Sequence, residues 1–203
     1  MSINIIDLGL KDYKETLNVQ YDLIEKRKNN LINDTLILVE HNHVITAGRK
    51  TNQNNIIDKS LPIFYVERGG DVTYHGPGQL VGYPIIDISK SKDVNLFIRK
   101  IELFIINVLS KFQIVANTKE KHTGVWVDDK KIASIGIAFK NWISYHGFSI
   151  NVNTNMSFFY KINPCGLEAS VMTSMQLILN KEINIDEVKK VVSKLFTKYF
   201  DKI

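Results

Sequence analysis

With 203 residues, 44% of them hydrophobic, the chain is long enough to bury one substantial core and short enough to be read as a single domain, residues 1–203. Its one cysteine excludes an internal disulfide and any multi-cysteine metal site, and the opening Met1-Ser2-Ile3-Asn4 is no basic-then-apolar leader, so a reducing compartment, the cytoplasm, is expected. Twenty-six Lys and Arg against 21 Asp and Glu leave a net charge of +5, which steers acidic macromolecules toward the surface at low salt, and no stretch is apolar enough to span a bilayer.

Residues 11–28 place Tyr13, Leu17, Tyr21 and Ile24 on one helical face. Strands are predicted at 34–39, 43–47, 62–67, 71–75 and 80–88, where short β-branched or aromatic runs are bounded by turn residues. A second helix over 92–112 groups Val94, Phe97, Ile98, Ile101, Phe104, Ile105 and Val108. Three more strands follow at 123–127, 131–139 and 143–152, joined by tight turns at Asp128-Asp129-Lys130 and at Phe139-Lys140-Asn141-Trp142. A last helix begins near Asn184, with Glu187 completing a capping-box pattern. Its Lys189, Lys190, Lys194, Lys198 and Lys202 read as a solvated face beside Val188, Val191, Val192, Leu195 and Phe196. Helices and strands do not alternate, so the fold class is α+β: a largely antiparallel mixed sheet flanked by helices.

Three local features carry chemistry. The first is Arg68-Gly69-Gly70-Asp71-Val72-Thr73-Tyr74-His75-Gly76-Pro77-Gly78-Gln79, where glycines, a fixed cation and a titratable ring crowd one loop. The second is Cys165 in Asn163-Pro164-Cys165-Gly166, a sharp turn that would open a helix over Leu167 to Met175 and place the sulfur at a thiolate-stabilising helix N-terminus. The third is Lys131, a source of an ammonium for that thiolate, followed by a strand with Ala133, Ile135, Ile137 and Phe139 on one face and the small Ser134, Gly136 and Ala138 on the other. A small-residue face lets a thin acyl chain lie against the strand.

No Gly-x-Gly-x-x-Gly opens a helix and no Walker lysine follows the glycine loop, so nucleotide use is not indicated. His41, His43, His75, His122 and His146 form no helical zinc pair, and His41-Asn42-His43 is too weak a signal to suggest a metal centre. Together the loop, the lysine and the cysteine suggest acyl transfer.

These segments, with His146-Gly147-Phe148-Ser149-Ile150-Asn151-Val152, closely resemble the lipoyl(octanoyl) transferase family over about residues 36–176, including the early strands Leu36-Ile37-Leu38-Val39-Glu40-His41 and Val44-Ile45-Thr46-Ala47-Gly48. The resemblance implies the fold of biotin protein ligases and lipoate ligases. It also implies transfer of an octanoyl group from octanoyl-acyl carrier protein to a lysine of lipoyl domains, as in 2-oxoacid dehydrogenase complexes, without metal or ATP. By the same resemblance Cys165 is the acyl-thioester nucleophile and Lys131 the lysine that holds it ionised. Arg68, Gly69, Gly70, Asp71, Val72, Thr73, Tyr74, His75, Ser134, Ile135, Gly136, Gly147, Phe148 and Ser149 match the acyl-binding segments. Backbone N–H groups of Gly166 or of the Gly69-Gly70 loop are expected as oxyanion donors. The competing readings are an ATP-dependent lipoate or biotin ligase of the same fold, which needs no cysteine, and an amidotransferase between lipoyl proteins. A basic nucleic-acid-binding module, a third reading, would leave the glycine loop unexplained.

Overall fold

The structure, a computed structural model, describes residues 3–200. In chain order its elements are β1 (Asn4–Leu10), α1 (Tyr13–Lys28), β2 (Thr35–Glu40), β3 (Val44–Ala47), β4 (Ile63–Tyr65), β5 (Val72–His75), β6 (Gln79–Ile85), α2 (Val94–Ser110), β7 (Asn117–Lys119), β8 (His122–Val127), β9 (Lys130–Lys140), β10 (Ile143–Asn151), α3 (Met175–Leu179) and α4 (Ile185–Phe200). Seven strands form one sheet in the order β1-β2-β6-β10-β9-β8-β7, and β4-β3-β5 form a second, smaller one. Among the described strands only β1–β2 and β3–β4 form parallel ladders; the other ladders are antiparallel, as the α+β reading expects.

Strand alternation divides β2 between two cores: Leu36 and Leu38 face the core built by α2 and α4, whereas Ile37 and Val39 face the one closed by Leu23 and Ile24 of α1. Phe104 of α2 meets Phe148, Phe196 and Phe200 edge-on, with centroids 5.7, 5.3 and 6.2 Å away. Each such buried ring contributes roughly 1.5–3 kcal/mol by burial alone. The small sheet has its own core, where Ile45, Val72 and Tyr74 pack against Phe159, Ile162 and Met172.

The β9–β10 turn falls within the predicted Phe139–Trp142 stretch but is shorter, with Phe139 and Lys140 still paired in the strand and only Asn141 and Trp142, at φ 53° and 65°, between Lys140 and Ile143. Asn184 caps α4 through the Asp186 N–H at 2.9 Å. Three expectations need correction. The strand β1 and the short β7 lie outside the predicted set. The buried stripe of α1 is Tyr13, Thr16, Gln20, Leu23 and Ile24, with Leu17 and Tyr21 only half-buried, because polar Gln20 turns inward to accept the His146 N–H at 2.8 Å. Lys189 is not solvated: it is mostly covered and pairs with Asp7 of β1 at 3.1 Å, fastening α4 to the sheet edge. Lys202 lies outside the described residues.

Candidate active site

A cleft of about 460 Å³, including its open mouth, lies where β9, β10 and β6 of the large sheet meet the Arg68–Thr73 segment. Arg68, Gly69, Gly70, Thr73, His75, Ser134, Ile135, Gly136, Gly147, Phe148 and Ser149 line it, and so does Cys165. The antiparallel register puts Gly136 opposite Gly147, Ile135 opposite Phe148 and Ser134 opposite Ser149, so two sequence segments become one continuous floor. A Cβ at Gly136 would stand 3.0 Å from Arg68 Cδ and 3.2 Å from Gly69 O, so the bare Cα is what lets the glycine loop close onto the strand. Tyr13, Val81, Tyr83 and His146 line the cleft as well. None was singled out as a site residue from sequence; Tyr13 arrives from α1, and His146 betrays itself only by flanking Gly147.

Asp71, Val72 and Tyr74 are placed elsewhere. Val72 and Tyr74 are core residues of the small sheet, Tyr74 bonding His43 Nδ1 through its hydroxyl at 2.7 Å. The Asp71 carboxylate accepts the Asn52 N–H at 3.3 Å and the Asn55 amide at 2.5 Å, and Asn55 O in turn accepts the Asn163 N–H at 2.8 Å. Asp71 therefore supports the turn that carries Cys165 without reaching the cleft.

That turn is Pro164–Gly166, a single 3-10 turn in which Cys165 is left-handed at φ 56°, ψ 32° and Gly166 has φ 72°. A left-handed non-glycine residue costs on the order of 1–2 kcal/mol. The thiol is exposed at the cleft. The helix expected over Leu167 to Met175 does not form: a short 3-10 turn at Ala169–Val171 follows, and α3 starts only at Met175, capped by Ser174. Tertiary bonds hold this stretch extended. Thr173 N–H reaches Lys131 O at 3.0 Å, Asn151 Nδ2 reaches Thr173 O at 2.9 Å, and Lys130 Nζ reaches Ser170 O at 2.7 Å. Cys165 therefore does not stand at the N-terminus of a helix.

Two expected oxyanion donors are also already engaged, Gly166 N–H with Asn163 O at 3.0 Å and Gly69 N–H with Ile137 O at 3.0 Å. Among the described residues the Gly70 N–H has no such partner.

Lys131 is buried, and its Nζ lies 5.7 Å from the centre of the Trp126 ring. Burial lowers its pKa from the ordinary lysine value; the Cys165 and Glu102 charges act the other way, and Arg68 reinforces the fall. Arg68 is buried too. Its Nη2 donates to Thr46 O at 2.7 Å and its Nη1 to Gly69 O at 3.0 Å, so it ties β3 to the glycine loop.

His75 Nδ1 is 2.6 Å from Gln79 Oε1, and Gln79 Nε2 donates to Tyr74 O and Asn151 Oδ1, which fixes the amide and makes Nδ1 the protonated nitrogen. Burial, the nearby His41 and Arg68 push the His75 pKa down to about 3, so the ring facing the cleft is neutral with a lone pair on Nε2. No group of three or more His, Cys, Asp or Glu among the described residues is arranged to hold a metal ion, and no helix among them is long and apolar enough to cross a membrane.

The chain matches the family described as "Lipoyl protein ligase A/B catalytic domain" over residues 12–197. It is 42% identical to an octanoyltransferase of Alkaliphilus metalliredigens over 99% of this chain and 96% of that protein. It is 43% identical to one of Caldicellulosiruptor saccharolyticus over 98% and 89%. Its fold is similar to that of a lipoate-protein ligase A solved with ATP, at TM-score 0.81 and 14% identity over 99% of this chain and 86% of that one. It is also similar to biotin protein ligase from Aquifex aeolicus, at TM-score 0.59 and 16% identity over 99% and 70%.

Proposed function

Because the chain belongs to the lipoyl protein ligase A/B catalytic-domain family, we propose that it is an octanoyltransferase that carries the acyl group on Cys165, taking it from octanoyl-acyl carrier protein and giving it to a lipoyl-domain lysine. The observation that carries the thioester route is the placement of the single thiol, on a strained turn at the open cleft, near enough to the buried Lys131 for its charge to act on the ammonium. An adenylate-forming ligase has no use for such a thiol.

The chemistry balances on two groups. The Cys165 thiolate attacks the donor thioester carbonyl, and the carrier thiolate leaves with a proton from the Lys131 ammonium. The target amine then attacks the enzyme thioester, its surplus proton passes to neutral Lys131, and the Cys165 thiolate departs. A buried lysine whose pKa is lowered can give and regain that proton, whereas a solvated one would hold it. The acyl chain lies along Ser134, Gly136 and Gly147, and the +5 net charge draws in acidic carrier and acceptor domains.

Incubation with octanoyl-acyl carrier protein and a lipoyl domain, without ATP, tests the reading: octanoylated domain should appear. A requirement for ATP and free octanoate would establish a ligase instead, and efficient transfer from an octanoylated lipoyl protein but not from the carrier would establish an amidotransferase.

Lys131→Arg should keep the charge yet lose turnover by about 10²–10⁴-fold, because a guanidinium does not release a proton near neutral pH. Single-turnover rates of acyl loading and acyl delivery measure it; near-wild-type rates in both would remove Lys131 from proton transfer.

A further inference from the structure

Glu102 is the one acidic side chain fully enclosed within the hydrophobic face of α2 among the described residues. A buried carboxylate is costly unless its lone pairs are engaged. One oxygen meets Arg99 Nη1 at 2.5 Å, at the half-exposed end of the pair. The other, Oε1, accepts the backbone N–H of Gly124 at 2.9 Å inside the protein.

Gly124 belongs to β8, and its backbone is at φ +133°, which L side chains rarely adopt. The β8–β9 register slips just beyond it: Val125 pairs with Ala133 and Trp126 with Lys131, which leaves Ile132 without an opposite residue. Such bulges re-aim side chains. Here Lys131 is directed across the bare Gly124 Cα, so closely that a Cβ there would stand 2.5 Å from Lys131 Cε, 2.6 Å from Ala133 O and 3.2 Å from Lys131 Nζ. The Trp126 ring limits the ammonium on another side.

We propose that Glu102 and Gly124 are positioning residues for Lys131: Glu102 pins the strand at the Gly124 N–H, and Gly124 supplies the space that the lysine stem occupies. The inference rests on the reading of Lys131 as the proton-transfer partner of Cys165. Glu102 has a second effect on the same group, since its charge favours the ammonium that burial disfavours.

The test compares Gly124→Ala, Glu102→Ala and Glu102→Gln with wild type and with Lys131→Ala. The readouts are single-turnover acyl loading from octanoyl-acyl carrier protein, and the rate of iodoacetamide alkylation of Cys165 at pH 7. Cys165 is the only thiol, so alkylation reports its local charge environment without substrate. Circular dichroism and urea unfolding control for the fold.

Gly124→Ala and Glu102→Ala should each load acyl about 10²-fold more slowly, the usual cost of misplacing a reacting group by about 1 Å. Both should also alkylate several-fold more slowly, in the direction of Lys131→Ala. Glu102→Gln, whose amide oxygen can still accept the Gly124 N–H, should recover most of the loading that Glu102→Ala loses. Should Gly124→Ala fail to fold, the Glu102→Ala and Glu102→Gln pair decides. Wild-type loading and alkylation in Glu102→Ala, with Lys131→Ala impaired, would overturn the positioning proposal alone. Wild-type loading in Lys131→Ala would instead overturn the reading of Lys131 on which it rests.

Discussion

Cys165→Ala should abolish the covalent octanoyl-enzyme and lower ATP-free transfer by at least about 10⁴-fold, the scale on which loss of a nucleophile acts when the remaining binding site is intact. With no second thiol in the chain, an octanoyl adduct on wild type that is missing from Cys165→Ala locates the acyl group without further mapping. Cys165→Ser sharpens the result. The left-handed backbone at 165 and the cleft around it are kept, but a hydroxyl ionises far less readily than a thiol, and an ammonium without a helix dipole behind it cannot close that gap. Both variants should bind octanoyl-acyl carrier protein while failing to discharge it. Intact-protein mass spectrometry after mixing, followed by addition of a lipoyl domain, reads each step. Wild-type transfer by Cys165→Ala would end the thioester mechanism, and an adduct that forms on Cys165→Ala would place the acyl group on another residue.

The parts of the site that lie on local patterns were legible in the sequence. The glycine loop, the Lys131 strand and the Gly147 strand each carry their signal within a few residues, and antiparallel pairing of β9 with β10 is what two runs joined by a two-residue turn produce. What escaped depends on distant partners. Residues 4–10 become a strand because β2 offers a parallel edge, which nothing within that run announces. The stretch 167–175 has helix-forming residues at its start, yet bonds from Asn151, Lys130 and Lys131 outweigh that preference and leave Cys165 on an isolated turn. Glu102 looks like one more polar position on an amphipathic helix until β8 is laid against it. Tyr13 shows the same limit from the other side: its periodicity places it in the core, and only the crossing of α1 over β6 and β10 turns its ring toward the cleft.

Stability should fall steeply between pH 6.5 and pH 4, and the cause lies beneath the cleft. His41 and His75 pack 6.0 Å apart between Tyr13 and Tyr83, and Arg68 is a neighbouring buried cation. His41 Nδ1 donates to Lys11 O at 2.8 Å, so in the neutral ring Nε2 accepts the Tyr83 hydroxyl proton at 2.8 Å, and a second ring proton would have to reverse that bond. Burial holds the native pKa of His41 down to about 4 and that of His75 to about 3, whereas in the unfolded chain both titrate at about 6.5. Over this window the unfolded state binds more protons, so the stability fully present above pH 6.5 is lost as pH falls, until the native rings protonate in turn. At pH 5 the loss is about 2 kcal/mol for each ring, or about 4 kcal/mol together, a large share of the 5–15 kcal/mol typical of a folded domain. Burial and Arg68 depress His146 in the same direction, with Glu67 3.7 Å away acting against them. The salt-bridged carboxylate of Asp58, held down to about 2, cannot mimic the effect, because its contribution persists until pH drops below the ordinary Asp range. Urea unfolding at pH 7.5, 6.5, 5.5 and 5.0 measures the slope, and His41→Gln should flatten it by about one proton even if it lowers stability at neutral pH. Equal unfolding free energies at pH 7.5 and 5.0 would mean that these rings titrate in the native protein as they do in the unfolded chain, and the neutral hydrogen-bond chain assigned to them would be wrong.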